Sequence, residues 1–303
     1  MRDDDINQAV EAYLETADGA TAARLRFLKG LWDIQREIEA SAPVSVAPDA
    51  PAAQRALALG QPLFWVMEPE VPAKDYRAVV NRIAAHVADE AGLDLKQSSA
   101  LREIDFVAAL PDRHIAEAAR DSQAFVDQAS EALRAQSDGA VSHATVAFIL
   151  LSALTPFLTE ASAAALASLG DCQWEKWGSG TCPVCGSPSS LGYITESAQA
   201  RASERRLWCP LCRADWGFAR MRCVRCGTRA VAKLHYTYEE RDPAHRVHLC
   251  DECHGYLRVV FEDELDKPLS MVVEEAVSIA LDAIALAQGY TPTGDGGQSA
   301  AVS

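Results

Sequence analysis

Eight cysteines of this chain fall in four Cys-x-x-Cys pairs: Cys182/Cys185, Cys209/Cys212, Cys223/Cys226 and Cys250/Cys253. A shift of 41 positions carries the first four onto the second four without a gap, and carries Gly186 onto Gly227. The region is therefore a tandem repeat. Each unit opens on Cys-x-x-Cys-Gly and closes on a second pair. Such a turn aims two thiolates at one point, and the glycine permits a backbone conformation in which amides face the sulfurs. Two facing turns complete a four-sulfur tetrahedral site. Sequential pairing is expected, with Cys182, Cys185, Cys209 and Cys212 on one ion and Cys223, Cys226, Cys250 and Cys253 on the other. An interleaved pairing remains open, ranked below it because a repeat that shares ligands is not self-contained. Zinc and iron both accept four thiolates in this geometry, so the sequence does not choose between them.

Other chemistry for these thiols is weaker. Disulfides would suit the even count, but MRDDDINQAV has no basic segment followed by an apolar one, so no secretory signal is read and a reducing, cytoplasmic setting is expected. A thioredoxin-type pair works alone at a helix start, whereas four pairs stand here in register. The ninth cysteine, Cys172, is given no role. His235, His245, His248 and His254 are read as surface or loop histidines. Glu239, Glu240, Glu262, Asp263 and Glu264 are read as solvated faces.

The arginines around the cysteines form a second signal. Arg201, Arg205, Arg206, Arg213, Arg220, Arg222, Arg225, Arg229 and Lys233 face only Glu204 and Asp215 across Ala200–Lys233, a segment of +7 in a chain of −15. Two divalent ions on four thiolates each would carry two negative charges apiece, which part of this excess would balance. The rest is a basic patch, and a nucleic-acid-binding ribbon protein is the alternative function it raises. Trp208, Trp216 and Phe218 could stack on bases, though they suit packing against the metal loops equally well. The acidic remainder disfavours generic nucleic-acid or membrane binding.

The elements that must position these residues follow from periodicity. Apolar residues at spacings of three and four (Ile6, Ala9, Val10, Tyr13; Leu25, Leu28, Leu31, Trp32) predict an all-α domain over residues 1–171, broken by APVSVAPDAP and by GQPLFWVMEPEVPAKD. Pro111 and Pro156 start or bend later helices, Thr155 and Pro156 reading as a helix N-cap and first turn and Gly170 as a helix stop. The apolar run Ala144–Leu158 reads as a buried core helix, too short to span a bilayer, so no membrane insertion is expected. Alternating stretches such as Leu234–Tyr238 predict β-ribbons between the cysteine pairs. The expected fold class is α+β: the helical domain, a first Cys-knuckle metal module over 172–215, a second over 216–265, a C-terminal helix over 266–290 and a disordered tail over 291–303. No Walker loop, dinucleotide fingerprint or nucleophile elbow is present, so no catalytic residues are assigned.

CPVCGSPSSLGYI at Cys182, RRLWCPLCRADWGFARMRCVRCG through the middle, LCDECHGYLRVV and the closing LDAIALAQGY together resemble the formate dehydrogenase accessory protein FdhE family. The resemblance covers Cys172–Tyr290 and, more loosely, the helical half with its GQPLFW segment. It implies that the eight cysteines form rubredoxin-like or zinc-ribbon-like sites holding two metal ions, iron favoured over zinc. It further implies a cytoplasmic, non-enzymatic maturation factor. Such a factor would bind the catalytic subunit of respiratory formate dehydrogenase before export through the twin-arginine route. Homo-oligomerisation is left open.

Overall fold

A computed structural model describes residues 3–39, 50–169, 177–197 and 202–294. Cys172, Gly170, Arg201, most of the APVSVAPDAP connection and residues 295–303 lie outside the described residues. The first half is helical: α1 (Asp3–Leu14), α2 (Gly19–Glu39), α3 (Ala50–Ala58), α4 (Phe64–Met67), α5 (Ala73–Glu90), α6 (Leu95–Glu103), α7 (Phe106–Ala109), α8 (Asp112–Glu117), α9 (Ser122–Gln136) and α10 (His143–Leu169). Asp94 caps α6 by a reciprocal exchange with Gln97, and Asp105 and Asp121 accept backbone N–H groups at the starts of α7 and α9. The long helix α10 is central, with Ile149, Leu150, Ala153, Leu154, Leu158 and Ala165 buried against α2, α5 and α9.

Pro156 corrects the sequence expectation. It lies inside α10, whose start is instead capped by the Ser142 hydroxyl, which accepts from Thr145 N at 3.1 Å. A proline within a helix orphans the carbonyl four residues earlier. That carbonyl, on Ser152, accepts from Gln35 Nε2 of α2 at 2.8 Å, so the tertiary contact replaces the lost ladder bond. At this length α10 is, by length and composition, apolar enough to cross a membrane, contrary to the shorter run read from sequence, and 61% of its most apolar window is buried within the protein.

The second half is a single six-stranded sheet among the described residues. Its strands are β1 (Leu191–Ser197), β2 (Ala202–Trp208), β3 (Asp215–Phe218), β4 (Leu234–Glu239), β5 (Asp242–Cys250) and β6 (Gly255–Phe261), in the order β3-β2-β1-β6-β5-β4. Each 41-residue unit supplies an antiparallel meander of three strands. The two meanders join edge to edge through the parallel pair β1/β6, with Leu191 opposite Arg258 and Ile194 opposite Phe261. This pairing removes one exposed edge from each unit.

The chain closes with α11 (Met271–Val277) and α12 (Ala280–Ala287), where the sequence predicts one helix. The Ser278 hydroxyl donates to Glu274 O at 2.6 Å and accepts from Arg258 at 3.0 Å, which explains the interruption. Thr291 forms a parallel bridge with Gly255, donating to His254 O at 2.8 Å and accepting from Tyr256 N at 3.1 Å.

Candidate metal centres

The eight thiols gather in two groups of four, Cys182/Cys185/Cys209/Cys212 and Cys223/Cys226/Cys250/Cys253, with all sulfurs of a group within 4.8 Å of one another. This is the sequential grouping. The turns that carry the first pairs are built alike. Gly186 N and Gly227 N donate to Cys182 O and Cys223 O at 2.9 and 3.1 Å, and the two glycines adopt φ of 82° and 76°. Val184 N and Arg225 N point at the sulfurs of Cys182 and Cys223 at 3.4 and 3.3 Å. The second pairs close on Arg213 and His254, again equivalent in the repeat, with φ of 57° and 51°. There the left-handed turn is made without glycine.

Tetrahedral thiolates about 2.3 Å from an ion place their sulfurs about 3.8 Å apart. In the second group Cys223–Cys253 and Cys226–Cys250 both measure 3.8 Å. In the first, Cys182–Cys212 and Cys185–Cys209 measure 3.5 and 3.4 Å, slightly tighter and far longer than a disulfide. Each group could hold one metal ion. The protonation pattern fits this reading. Burial pushes Cys182 and Cys209 up, while the neighbouring thiols hydrogen-bond to Cys185 and hold it well below its ordinary range. In the second group burial opposes ionisation of Cys223, yet the N–H groups of Cys226 and Arg225 hold it down, and burial raises Cys250 to about 11. Four sulfurs at such range ionise together only around a cation. The donor set does not separate iron from zinc.

The two centres differ in their surroundings. All four sulfurs of the first are buried in the main core, among residues contributed by α2, α5 and α10. The GQPLFW segment clamps it: Leu63 N and Phe64 N donate to Pro183 O and Val184 O at 2.9 Å, and a Cβ on Gly186 would stand 3.1 Å from Pro62. Arg213 reaches back to α2, donating to Glu39 at 2.7 Å and Gln35 at 3.0 Å. Among the described residues Cys223, Cys250 and Cys253 form a small hydrophobic cluster of their own with Leu234, and Cys226 is exposed.

Most of the basic segment is spent inside the protein. Arg205 is 4% exposed and donates to Ala219 O and Arg222 O at 2.5 Å. Arg206 pairs with Asp215, Arg222 donates to Gly227 O, and Arg225 donates to Tyr256 O and Ser189 O. Arg220 and Arg229 stand exposed. Trp208 and Trp216 are buried.

The surface reading of His245 is corrected. His245 is 4% exposed and lies between Asp242, 2.8 Å from Nδ1, and Glu274, 2.6 Å from Nε2, while Tyr13 donates to the same Glu274 oxygen at 2.8 Å. Burial disfavours its charge, but these two carboxylates outweigh it and raise the imidazole to about 9. The network ties α1 to β5 and α11. No local sequence pattern announces it, because Tyr13 and Glu274 are 261 positions apart.

No family model matches the chain. It is 33% identical over 113 residues to an FdhE homologue of Shewanella oneidensis, covering 37% of this chain and 36% of that protein. An Aquifex aeolicus FdhE homologue is 28% identical over 155 residues, covering 50% and 52%. FdhE of Escherichia coli is 32% identical over 111 residues, covering 36% and 34%. The matched part thus spans between about a third and a half of the length of these curated relatives. The crystal structure of the FdhE protein from Pseudomonas aeruginosa superposes with a TM-score of 0.63 over 96% of this chain and 94% of that one, at 21% identity, so the fold is shared. These comparisons bear out the resemblance to the FdhE family.

Proposed function

We propose, from that shared fold and likeness to FdhE proteins, that this chain is a cytoplasmic accessory factor for formate dehydrogenase. It would bind the catalytic subunit after synthesis and support its maturation, without itself being an enzyme. The observation that carries the reading is the pairing of two four-sulfur centres on one continuous sheet, inside a fold matched nearly end to end by an FdhE structure. The eight cysteines Cys182, Cys185, Cys209, Cys212, Cys223, Cys226, Cys250 and Cys253 would hold two ions, iron or zinc. A rubredoxin-like iron would permit one-electron chemistry on the client, whereas zinc would brace the fold. The nucleic-acid alternative loses ground, because its arginines largely bond within the protein and Trp208 and Trp216 are buried.

The test is genetic and biochemical. Deletion in the host should leave the formate dehydrogenase polypeptide synthesised but largely inactive, and wild-type protein should capture the catalytic subunit anaerobically while a Cys223→Ser variant captures less. Normal formate-dependent dye reduction in the deletion strain would overturn the reading. So would recovery of nucleic acid in place of the subunit.

A further inference from the structure

Beside the second centre lies a cavity of about 300 Å³, at the lower end of small-molecule sites. Its floor is the sheet and its rim is the segment Arg220–Arg225. Five arginines line it, 205, 220, 222, 225 and 246, and no aspartate or glutamate does, in a chain with 43 acidic residues. Of the second centre's cysteines, Cys223 and Cys250 border it and Cys226 and Cys253 do not.

Three features mark it as built for a ligand. Arg205 Nε and His248 Nε2 are buried at its wall without a hydrogen-bond partner among the described residues. A buried polar atom without a partner is destabilising, so both call for one: Arg205 Nε as a donor, and His248 Nε2 as a donor in its Nε2–H tautomer. Arg220, on the rim, forms no hydrogen bond or ion pair among the described residues and is exposed. The remaining wall is apolar and aromatic, with Tyr236 and Phe261 beneath Arg246, whose guanidinium lies 5.2 and 3.7 Å from their ring centroids.

We propose that this cavity binds a small organic anion, one carboxylate or phosphate on a planar apolar body, with the anionic group on Arg205, Arg220 and His248 Nε2 and the body along Tyr236 and Phe261. The neighbouring metal centre would carry two negative charges, which the five arginines exceed. Arg225 answers the centre directly, its backbone N–H on Cys223 and its side chain engaged by Tyr256 O and Ser189 O. Arg220 remains for a ligand.

Titration calorimetry on the metal-loaded full chain tests this with benzoate and phenyl phosphate as probes and benzylamine as the cationic control. Both anions should bind once per chain and weaken with added salt, and benzylamine should not bind. Arg220→Glu, on an exposed side chain, should weaken the anions by about tenfold or more at unchanged metal content, while Arg220→Lys should stay within about threefold of wild type. Absence of saturable binding up to about 10 mM of either anion, a scale corresponding to less than about 3 kcal/mol, would overturn the proposal. Equal binding of the anions to wild type and Arg220→Glu, or equal binding of benzylamine, would do the same.

Discussion

Arg213 and His254 hold the same position in the two 41-residue units and both adopt left-handed backbone, with φ of 57° and 51°. A side-chain-bearing residue there costs about 1–2 kcal/mol relative to glycine. Arg213 is anchored by a part-buried ion pair, its side chain 9% and that of Glu39 16% exposed.

The two positions should therefore respond differently to glycine. Arg213→Gly relieves about 1–2 kcal/mol of backbone strain but loses the charge-assisted hydrogen bonds to Glu39 and Gln35, together about 3 kcal/mol, so a net destabilisation of about 1–2 kcal/mol is expected. His254→Gly should instead stabilise, by up to about 1–2 kcal/mol, because it relieves the left-handed backbone. Urea unfolding of the metal-loaded proteins at neutral pH measures both. Equal effects would mean that the Arg213–Glu39 pair contributes nothing net.

The His245 network predicts a pH dependence. Its folded pKa, about 9, lies above the unfolded value near 6.5, so the folded state holds the extra proton. Its contribution is fully present below about pH 6.5 and is lost as pH rises through about 9, on the order of 3 kcal/mol in all. His245→Gln should accordingly cost most near pH 6 and least above pH 9.5. A stability difference from wild type that stays flat across this window contradicts a charged, carboxylate-paired His245.

The cysteine centres and the α+β order were legible because they rest on local spacing: two residues between ligands and a fixed offset between units. What the sequence concealed depends on distant partners. Pro156 carries a strong helix-start signal, but Gln35 satisfies the carbonyl it orphans, and α10 runs through. His245 sits in a polar stretch, yet Tyr13 and Glu274 arrive from opposite ends of the chain. The joining of two ribbons into one sheet follows from the parallel β1/β6 pair, which no alternation pattern specifies. The arginines looked like a surface patch because sequence counts charge without showing which carbonyls receive it, as Ala219 O and Arg222 O receive Arg205.

The most direct test is metal stoichiometry by native mass spectrometry with elemental analysis, on protein purified without air. Two ions are expected in wild type and one in Cys226→Ser, with alkylation beginning at the exposed Cys226 while the buried first centre stays protected. Cys226 is chosen because its exposure lets the second centre be broken without disturbing the main core. A single ion in the wild type, or two ions retained by Cys226→Ser, would contradict two independent four-thiolate centres.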